Sequence, residues 1–451
     1  MHPLPSSYRD NDGFVFEHEG KVFRFIHPRY ENEYALLMKT GLYDELTTNG
    51  WLIPHQEIAH DAGFDLPEGR TILPEQIPFI SHPYEWSFAM WQDAALLTLQ
   101  IAGASLKKGM LLKDATPFNV QFLHGKPVFI DTLSFERYEQ GKPWIAYRQF
   151  CECFLAPLLL MHYCHPGTNK LFTVYPNGIP LDLLVSLLPK RSKWHLNTYL
   201  HIHLQSKITG NGKGKTTGHF SRQKLEVILQ GLTGYLNKLS VKKMRSAWDD
   251  YYSDNILSST YLDEKTKLVG SFLQDIEFET MLDLGANDGH FSLLFKNSKK
   301  NIVAIDADAN CINELYCKIK REKINNIQPL VIDLVAPSPS IGWNNSERNS
   351  ITERWKADLV MALALVHHLA IANNIPLPMV ASWLKRMGQY LLIEFIPKED
   401  EKLQLLLQHR EDIFSDYSLP VFKSVFSRHY EILREETVAE TQRVLFLMKL
   451  K

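Results

Sequence analysis

The residues 281–292, Met281-Leu282-Asp283-Leu284-Gly285-Ala286-Asn287-Asp288-Gly289-His290-Phe291-Ser292, join a buried apolar run to two glycines four positions apart. This is the pattern of a strand entering a tight turn and then a helix (HFSLLFK), with outward-pointing amides that suit a cofactor bearing a polar tail. A βα turn that needs glycine for φ > 0 alone reads the same way. A second strand, 301–305, ends in Asp306, 23 residues after Asp283, the distance at which a carboxylate meets the ribose hydroxyls of a nucleotide cofactor. A third apolar run, 329–332, ends in Asp333, a fourth is 357–365 (ADLVMALAL), and a fifth is 390–395 (YLLIEF). Four strand ends then converge on one crevice, the edge at which open α/β sheets bind ligands.

A second constellation lies far upstream. Asp114 is followed by Asn119 five residues on, and a strand at 128–130 ends in Asp131 twelve further. In phosphotransferases such an arrangement supplies a base aimed at a hydroxyl and two metal ligands; an ordinary hairpin whose Asp and Asn make turn hydrogen bonds fits equally. Two other signals carry less. The run TGNGKGKT, 209–216, has its first glycine displaced by one from a phosphate loop and no buried strand before it. Cys151, Cys153, His162, Cys164 and His165 lie along an apolar helix-like run without paired ligand knuckles and read as buried thiols; no metal site is expected.

The elements that must position these groups follow from periodicity. Residues 13–25 alternate about a glycine turn and predict a β-hairpin, and 119–130 around His124-Gly125-Lys126 predict another. Apolar residues at helical spacing predict helices over 30–46, 86–106, 144–163, 223–239 and 248–269. Strands first and helices later give an α+β domain over 1–205. A Gly-, Lys- and Thr-rich stretch, 206–222, is a loop or linker. After a helical connector or lid at 223–278, strands and amphipathic helices alternate over 279–451, the mark of a parallel sheet with crossover helices and hence an α/β, Rossmann-like domain. Trp248, Tyr251 and Tyr252 fit either a lid or ordinary packing.

DLGANDG, the Asp306 strand end, Asp333-Leu334 and the fourth strand together resemble the ordered motifs of class I S-adenosylmethionine-dependent methyltransferases, over about 279–451. The resemblance implies a seven-stranded sheet whose last strands, at 430–433 and 443–448, are antiparallel. It implies S-adenosyl-L-methionine as cofactor, with Asp283, Gly285 and Gly289 framing the methionine end, Asp306 the ribose, and Asp333 with Leu334 the adenine. Ala286, Asn287, Ala307 and Ala362 complete the expected contacts. The sequence departs from the commonest form in having Ala286-Asn287-Asp288 where a middle glycine often stands. A dehydrogenase is the rival for such a fold, but its glycines fall at first, third and sixth places. The whole chain is also similar to bacterial methyltransferases grouped with a nodulation host-specificity protein. The N-terminal half resembles aminoglycoside-phosphotransferase-like kinases, in which Arg24 and Glu33 would stand where a Lys–Glu pair belongs. It departs from them in lacking a His before Asp114, a phosphate-binding lysine and a glycine-rich loop.

Methyl transfer is an in-line displacement at a sulfonium methyl and needs alignment, plus a base where the nucleophile carries a proton. His367 and His368, where the resembling family places acceptor contacts, could take that proton; a helix-start pair packing on cofactor or core is the plainer reading. Glu394 is a further catalytic candidate or a solvated strand end. The 341–348 loop mixes turn formers with Trp343 and an adjacent Glu347–Arg348 ion pair, and such loops often carry function.

Composition bounds the rest. A chain of 451 residues, 45% hydrophobic, supports two cores. A formal charge of −2 without a basic footprint disfavours nucleic acid. The polar N-terminus, the absence of an ~18-residue apolar run and five scattered cysteines predict a cytoplasmic protein with no membrane partner. The expected activity is methyl transfer to a small-molecule or protein acceptor held between the domains. The alternative is a phosphotransferase or nucleotide-binding module in the N-terminal half with the methyltransferase domain as a sensor.

Overall fold

The computed structural model describes residues 3–59, 64, 66–210, 220–242, 259–408 and 411–451. The chain forms two compact units, one of residues 1–243 with 339–349, the other of 244–338 with 350–451.

In the first unit β1 (Gly13–His18) and β2 (Lys21–Ile26) pair antiparallel from Gly13↔Ile26 to His18↔Lys21. The loop between them is two residues, Glu19 and Gly20, both at positive φ, the backbone that matches the twist of a hairpin. β3 (His55–Ile58) and β4 (Arg70–Pro74) complete a sheet of order β1-β2-β4-β3. The helical pattern over 30–46 is two helices, Glu31–Lys39 and Leu42–Thr48, because Gly41 takes a left-handed conformation between them. The helix Phe88–Lys107 buries Met90, Trp91, Ala94, Leu97 and Ile101 on several faces, as a central core helix must. Beyond it, β5 (Met110–Leu112) pairs with β8 (Phe135–Arg137), and β6 (Val120–Leu123) with β7 (Lys126–Phe129), the second predicted hairpin. The apolar run at 144–163 is helical but carries a π-helical turn at Cys151–Leu155. The expected loop at 206–222 begins as helix, Gln205–Gly210, and its residues 211–219 lie outside the described residues.

The segment 339–349 joins this unit although its sequence neighbours belong to the other. Glu347 accepts from Tyr8 Oη at 2.7 Å and from Arg9 at 2.8 Å, and Arg348 stacks over the Phe118 ring at 4.4 Å. The expected Glu347–Arg348 pair is therefore replaced by partners distant in sequence.

The second unit is built on seven strands: β9 (Thr280–Leu284), β10 (Asn301–Asp306), β11 (Ile327–Val331), β12 (Ala357–Ala362), β13 (Gly388–Phe395), β14 (Tyr430–Thr437) and β15 (Val444–Leu450). Their order is β11-β10-β9-β12-β13-β15-β14. The first five are parallel, and β15 is antiparallel to both β13 and β14. The chain order reverses between β9 and β12, the topological switch point at which such sheets open a crevice. The helix Ala309–Glu322, capped by the Asp308 side chain, packs on the sheet through Ile312, Leu315 and Ile319. Instead of the helix expected after Gly289, only a 3-10 turn, Ser292–Phe295, forms. The helix expected from 248 is described as Ser259–Leu273. Among the described residues no helix is long and apolar enough to cross a membrane.

Candidate functional site

β9 delivers its buried run to a turn in which Gly285, Asn287 and Gly289 all have positive φ, 76°, 50° and 78°. The Gly285 and Ala286 N–H groups both donate to the Ile305 carbonyl, at 2.8 and 2.9 Å, and lock the turn to the end of β10. A Cβ on Gly289 would stand 2.6 Å from Leu315, so packing and conformation both demand glycine there. On Gly285 it would meet only Leu365, at 3.5 Å, so conformation alone demands glycine there. Asn287 occupies the left-handed region that a glycine usually fills, one of the few side chains that tolerate it.

Asp306 closes β10. Its carboxylate accepts N–H groups of Asn287 and Asp308, each at 2.8 Å. Burial pushes its carboxyl upward, and no cation is among its partners. Asp283 is buried, accepts the Ser292 hydroxyl at 2.7 Å, and is pushed up to about 7 by burial. Asp333 lies two residues past the end of β11 rather than at it, and its carboxylate accepts the Val335 N–H at 3.0 Å. Ala362 ends β12, buried, and Ala307 follows Asp306, exposed.

β12 stops at Ala362 because Ala364 takes φ 49°. The Ala364 N–H donates to Glu394 at 2.7 Å, so this carboxylate pins the turn that follows the fourth strand. Glu394 also accepts from Lys265 at 2.7 Å and from Tyr261 at 3.2 Å, and Glu394 and Lys265 side chains are 0% and 1% exposed. Burial raises the Glu394 carboxyl, but Lys265 and Arg443 outweigh it and hold it below the usual range. Arg443 extends the chain of charges, donating to Asp400 at 2.7 and 2.9 Å and to Tyr261 at 2.9 Å. Glu394 is thus a buried, engaged brace and not a solvated strand end. His367 is 2% exposed, and its buried Nδ1 has no hydrogen-bond partner. Burial first, then His368, Arg443 and Lys265, keep its pKa well below the usual histidine value. His368, its ring 3.9 Å away, is lowered to about 4 by burial. Both imidazoles are neutral at neutral pH, and they sit five and six residues beyond β12 rather than directly after it. Trp248, Tyr251 and Tyr252 lie outside the described residues.

Lys265, Arg443 and Asp400 are not among the residues that the sequence motifs single out. The signal for Lys265 was present: Tyr261, Lys265, Val269 and Phe272 fall on one stripe of the helix, so the lysine lies on its buried face.

In the first unit Asp114, Asn119 and Asp131 do come together. Asn119 donates to Asp114 and to Ser134 Oγ, each at 3.2 Å, and Gln149 donates to Asp114 at 2.6 Å. Burial, followed by Asp131, raises the Asp114 carboxyl. Asp131 is held by Arg24, Ser134 and the Leu133 N–H, and its carboxyl lies below the usual range because these partners outweigh burial. Arg24 pairs with Asp131 and, at 3.2 Å, with Asp10. The expected Arg24–Glu33 pair does not form: Glu33 instead accepts the Arg137 N–H at 2.8 Å at the end of β8. Of the thiols expected to be buried, Cys151 and Cys153 are, but Cys164 is exposed.

No protein-family model matches the chain. Solved structures with similarity include the N-methyltransferase NodS of Bradyrhizobium japonicum WM9 in complex with S-adenosyl-L-homocysteine (12% identity, TM-score 0.34, 45% of this chain and 92% of that one). The magnesium protoporphyrin IX methyltransferase ChlM of Synechocystis PCC 6803 with bound S-adenosylmethionine is similar at 13% identity and TM-score 0.30, over 47% of this chain and 87% of that one. The bifunctional kinase-methyltransferase WbdD is similar at 16% identity and TM-score 0.30, over 44% of this chain and 41% of that one. At these scores they carry no weight for function. The nodulation protein NoeA of Rhizobium meliloti (strain 1021) is 32% identical over 456 aligned positions, 98% of this chain and 95% of that protein. With a likeness of that extent across both units, the chain belongs to the family of the nodulation protein NoeA.

Proposed function

We propose that the protein is an S-adenosylmethionine-dependent methyltransferase whose donor site is the switch-point edge of the second unit. The observation that carries this reading is Asp306, a half-buried strand-end carboxylate held only by backbone amides beside a positive-φ turn, on a sheet of order β11-β10-β9-β12-β13-β15-β14. A carboxylate without a cation keeps acceptor capacity for a pair of ribose hydroxyls. Asp283, Gly285, Ala286, Asn287 and Gly289 would hold the methionine end, Asp306 and Ala307 the ribose, Asp333 and Leu334 the adenine, with Ala362 a further contact. The bound cofactor supplies an electrophilic methyl group on sulfonium.

The chain's own groups position the acceptor. Glu394, with Lys265 behind it, fixes the Ala364 turn from which residues 365–368 project. His367 Nδ1 is a buried polar atom without a partner, a condition that costs about 1–3 kcal/mol and is relieved when a ligand fills it. Neutral His367 and His368 offer ring nitrogens that accept a hydrogen bond from an acceptor hydroxyl or amine and orient it, while the burial that keeps them neutral makes both weak bases. A phosphotransferase reading is less favoured, because Asp131, which would hold the metal, is neutralised by Arg24.

Calorimetric titration with S-adenosylmethionine tests the reading. Wild type binds, and Asp306→Ala loses roughly tenfold to hundredfold in affinity, the effect of one or two charge-assisted hydrogen bonds. Failure of wild type to bind the donor, with magnesium and ATP bound instead, sinks the proposal. Transfer of label from the donor to candidate small-molecule and protein acceptors, screened separately, then identifies the substrate.

A further inference from the structure

Independently of the donor site, we propose that residues 190–200 of the first unit form a peripheral docking surface for an anionic lipid bilayer. Between residues 183 and 225 the sequence has eight Lys or Arg and no Asp or Glu, in a chain whose net charge is −2. Part of this stretch is a short helical hairpin, a 3-10 helix at Lys190–Trp194 followed by helical residues Leu196–Thr198 and Tyr199–Leu204. Its inner side is anchored: Ser192, Thr198 and Ile202 are buried, Ser192 Oγ lies 3.0 Å from His203 Nε2, and His195 stacks on Tyr235 at 4.7 Å. Its outer side is apolar where solvent-facing helices are normally polar. Trp194 is 88% exposed, Leu196 67% and Leu200 39%. Lys190, Arg191 and Lys193 stand exposed beside them, and none forms an ion pair with a described residue.

The combination selects the partner. A solvated face explains the lysines but not Trp194 and Leu196, and a nucleic acid offers phosphates for the cations but no apolar phase for the leucines. An anionic bilayer supplies both, headgroup charge for Lys190, Arg191 and Lys193 and the acyl boundary for Trp194, Leu196 and Leu200. Such contact needs no spanning helix, so it departs from the expectation of no membrane partner, which rested on the lack of a long apolar run. A rigid inner face matters too, because an anchored surface docks without first having to order itself.

Sedimentation of the full chain with vesicles of phosphatidylcholine alone, or of phosphatidylcholine with phosphatidylglycerol, tests this. Binding is expected only to the anionic vesicles and is expected to fall as salt rises, since screening shortens the reach of the cations. Each cation near the surface contributes about a fivefold factor, so the triple variant Lys190→Glu, Arg191→Glu, Lys193→Glu loses at least roughly a hundredfold. Trp194→Ala with Leu196→Ala also lowers binding at unchanged net charge, whereas Trp194→Phe restores most of it. Circular dichroism and donor affinity serve as controls for folding, because all the substituted side chains are exposed. Equal partition to both vesicle types, or triple-variant binding equal to wild type, overturns the proposal. So does retention of a polyanion such as heparin that ignores Trp194 and Leu196 while vesicles are not bound.

Discussion

Asp131 of the first unit and Asp306 of the second stand in closely matching places, each a half-buried carboxylate at or just past the end of a strand, next to a turn. Their partners differ. Asp131 accepts from the Arg24 guanidinium, the Ser134 hydroxyl and the Leu133 amide, while Asp306 accepts from two amides and no cation. A carboxylate already paired with arginine has its charge satisfied inside the fold, and admitting a metal there would leave a buried guanidinium unpaired. A carboxylate held by amides alone is oriented but still open to a hydroxyl. Position at a strand end therefore marks a candidate, and the kind of donor that holds the carboxylate distinguishes an acid whose charge is met inside the fold from one still able to accept from a ligand.

The sharpest extension of that distinction lies inside the second unit, at Glu394. It too is a strand-end acid, but with Lys265 as its partner it falls on the structural side. Glu394→Ala leaves the Lys265 ammonium buried without a counter-charge and the Ala364 N–H without an acceptor. A loss of about 4 kcal/mol is expected, read as a lower midpoint in urea unfolding. Glu394→Gln with Lys265→Met removes both charges and keeps an acceptor for Ala364, and it is expected to recover most of the stability. If Glu394→Ala is as stable as wild type and only slows turnover, the acid acts on the acceptor and the distinction fails.

The next test crosses the two units. Asp131→Ala unpairs Arg24 and is expected to lower stability by about 3 kcal/mol while leaving donor affinity unchanged. Asp306→Ala loses two backbone hydrogen bonds, about 1–2 kcal/mol, and most donor affinity. Unfolding curves and donor titration on both variants give the full pattern. Magnesium-dependent ATP binding by wild type that disappears in Asp131→Ala would break the comparison, because the first unit would then hold a working metal ligand.

Much of the sheet is legible in the sequence because β9, β10, β12 and β13 are nearly continuous apolar runs, as strands buried on both faces must be. The ends were less legible. β12 reads as running to residue 365, since Leu363 and Leu365 continue its apolar pattern, and neither the left-handed Ala364 nor its N–H bond to Glu394, 30 residues on, shows in that pattern. The break at Gly41 was available as a glycine within a helical pattern, but helical periodicity alone does not report φ. Ion-pair partners were the least legible. Glu33 is nine residues from Arg24, yet the partner chosen is Asp131, 107 away, and Lys265 meets Glu394 across 129 positions. Charge type and local spacing carry no information about which distant acid folding brings near.

The smallest expected effect concerns Asp283, the fourth acid of the comparison, which is buried, accepts one hydroxyl and has no cation in hydrogen-bond contact. In the unfolded chain its carboxyl loses its proton near pH ~4; in the fold burial raises that to about 7. Between those values the folded state holds a proton that the unfolded state lacks, so this group's contribution to stability is full below the unfolded value and is lost as pH rises through about 7. Asp283→Asn should therefore flatten the dependence of Tm on pH across that window. Donor binding acts on the same proton. A protonated amino group placed beside Asp283 favours the carboxylate, so titrations near pH 6 should release close to one proton per donor bound, and titrations near pH 8 almost none. Calorimetry in buffers of different ionisation enthalpy counts that proton, and affinity should rise by no more than about tenfold per pH unit over the window. Release that persists unchanged in Asp283→Asn would place the proton on another group and remove Asp283 from the methionine end of the site.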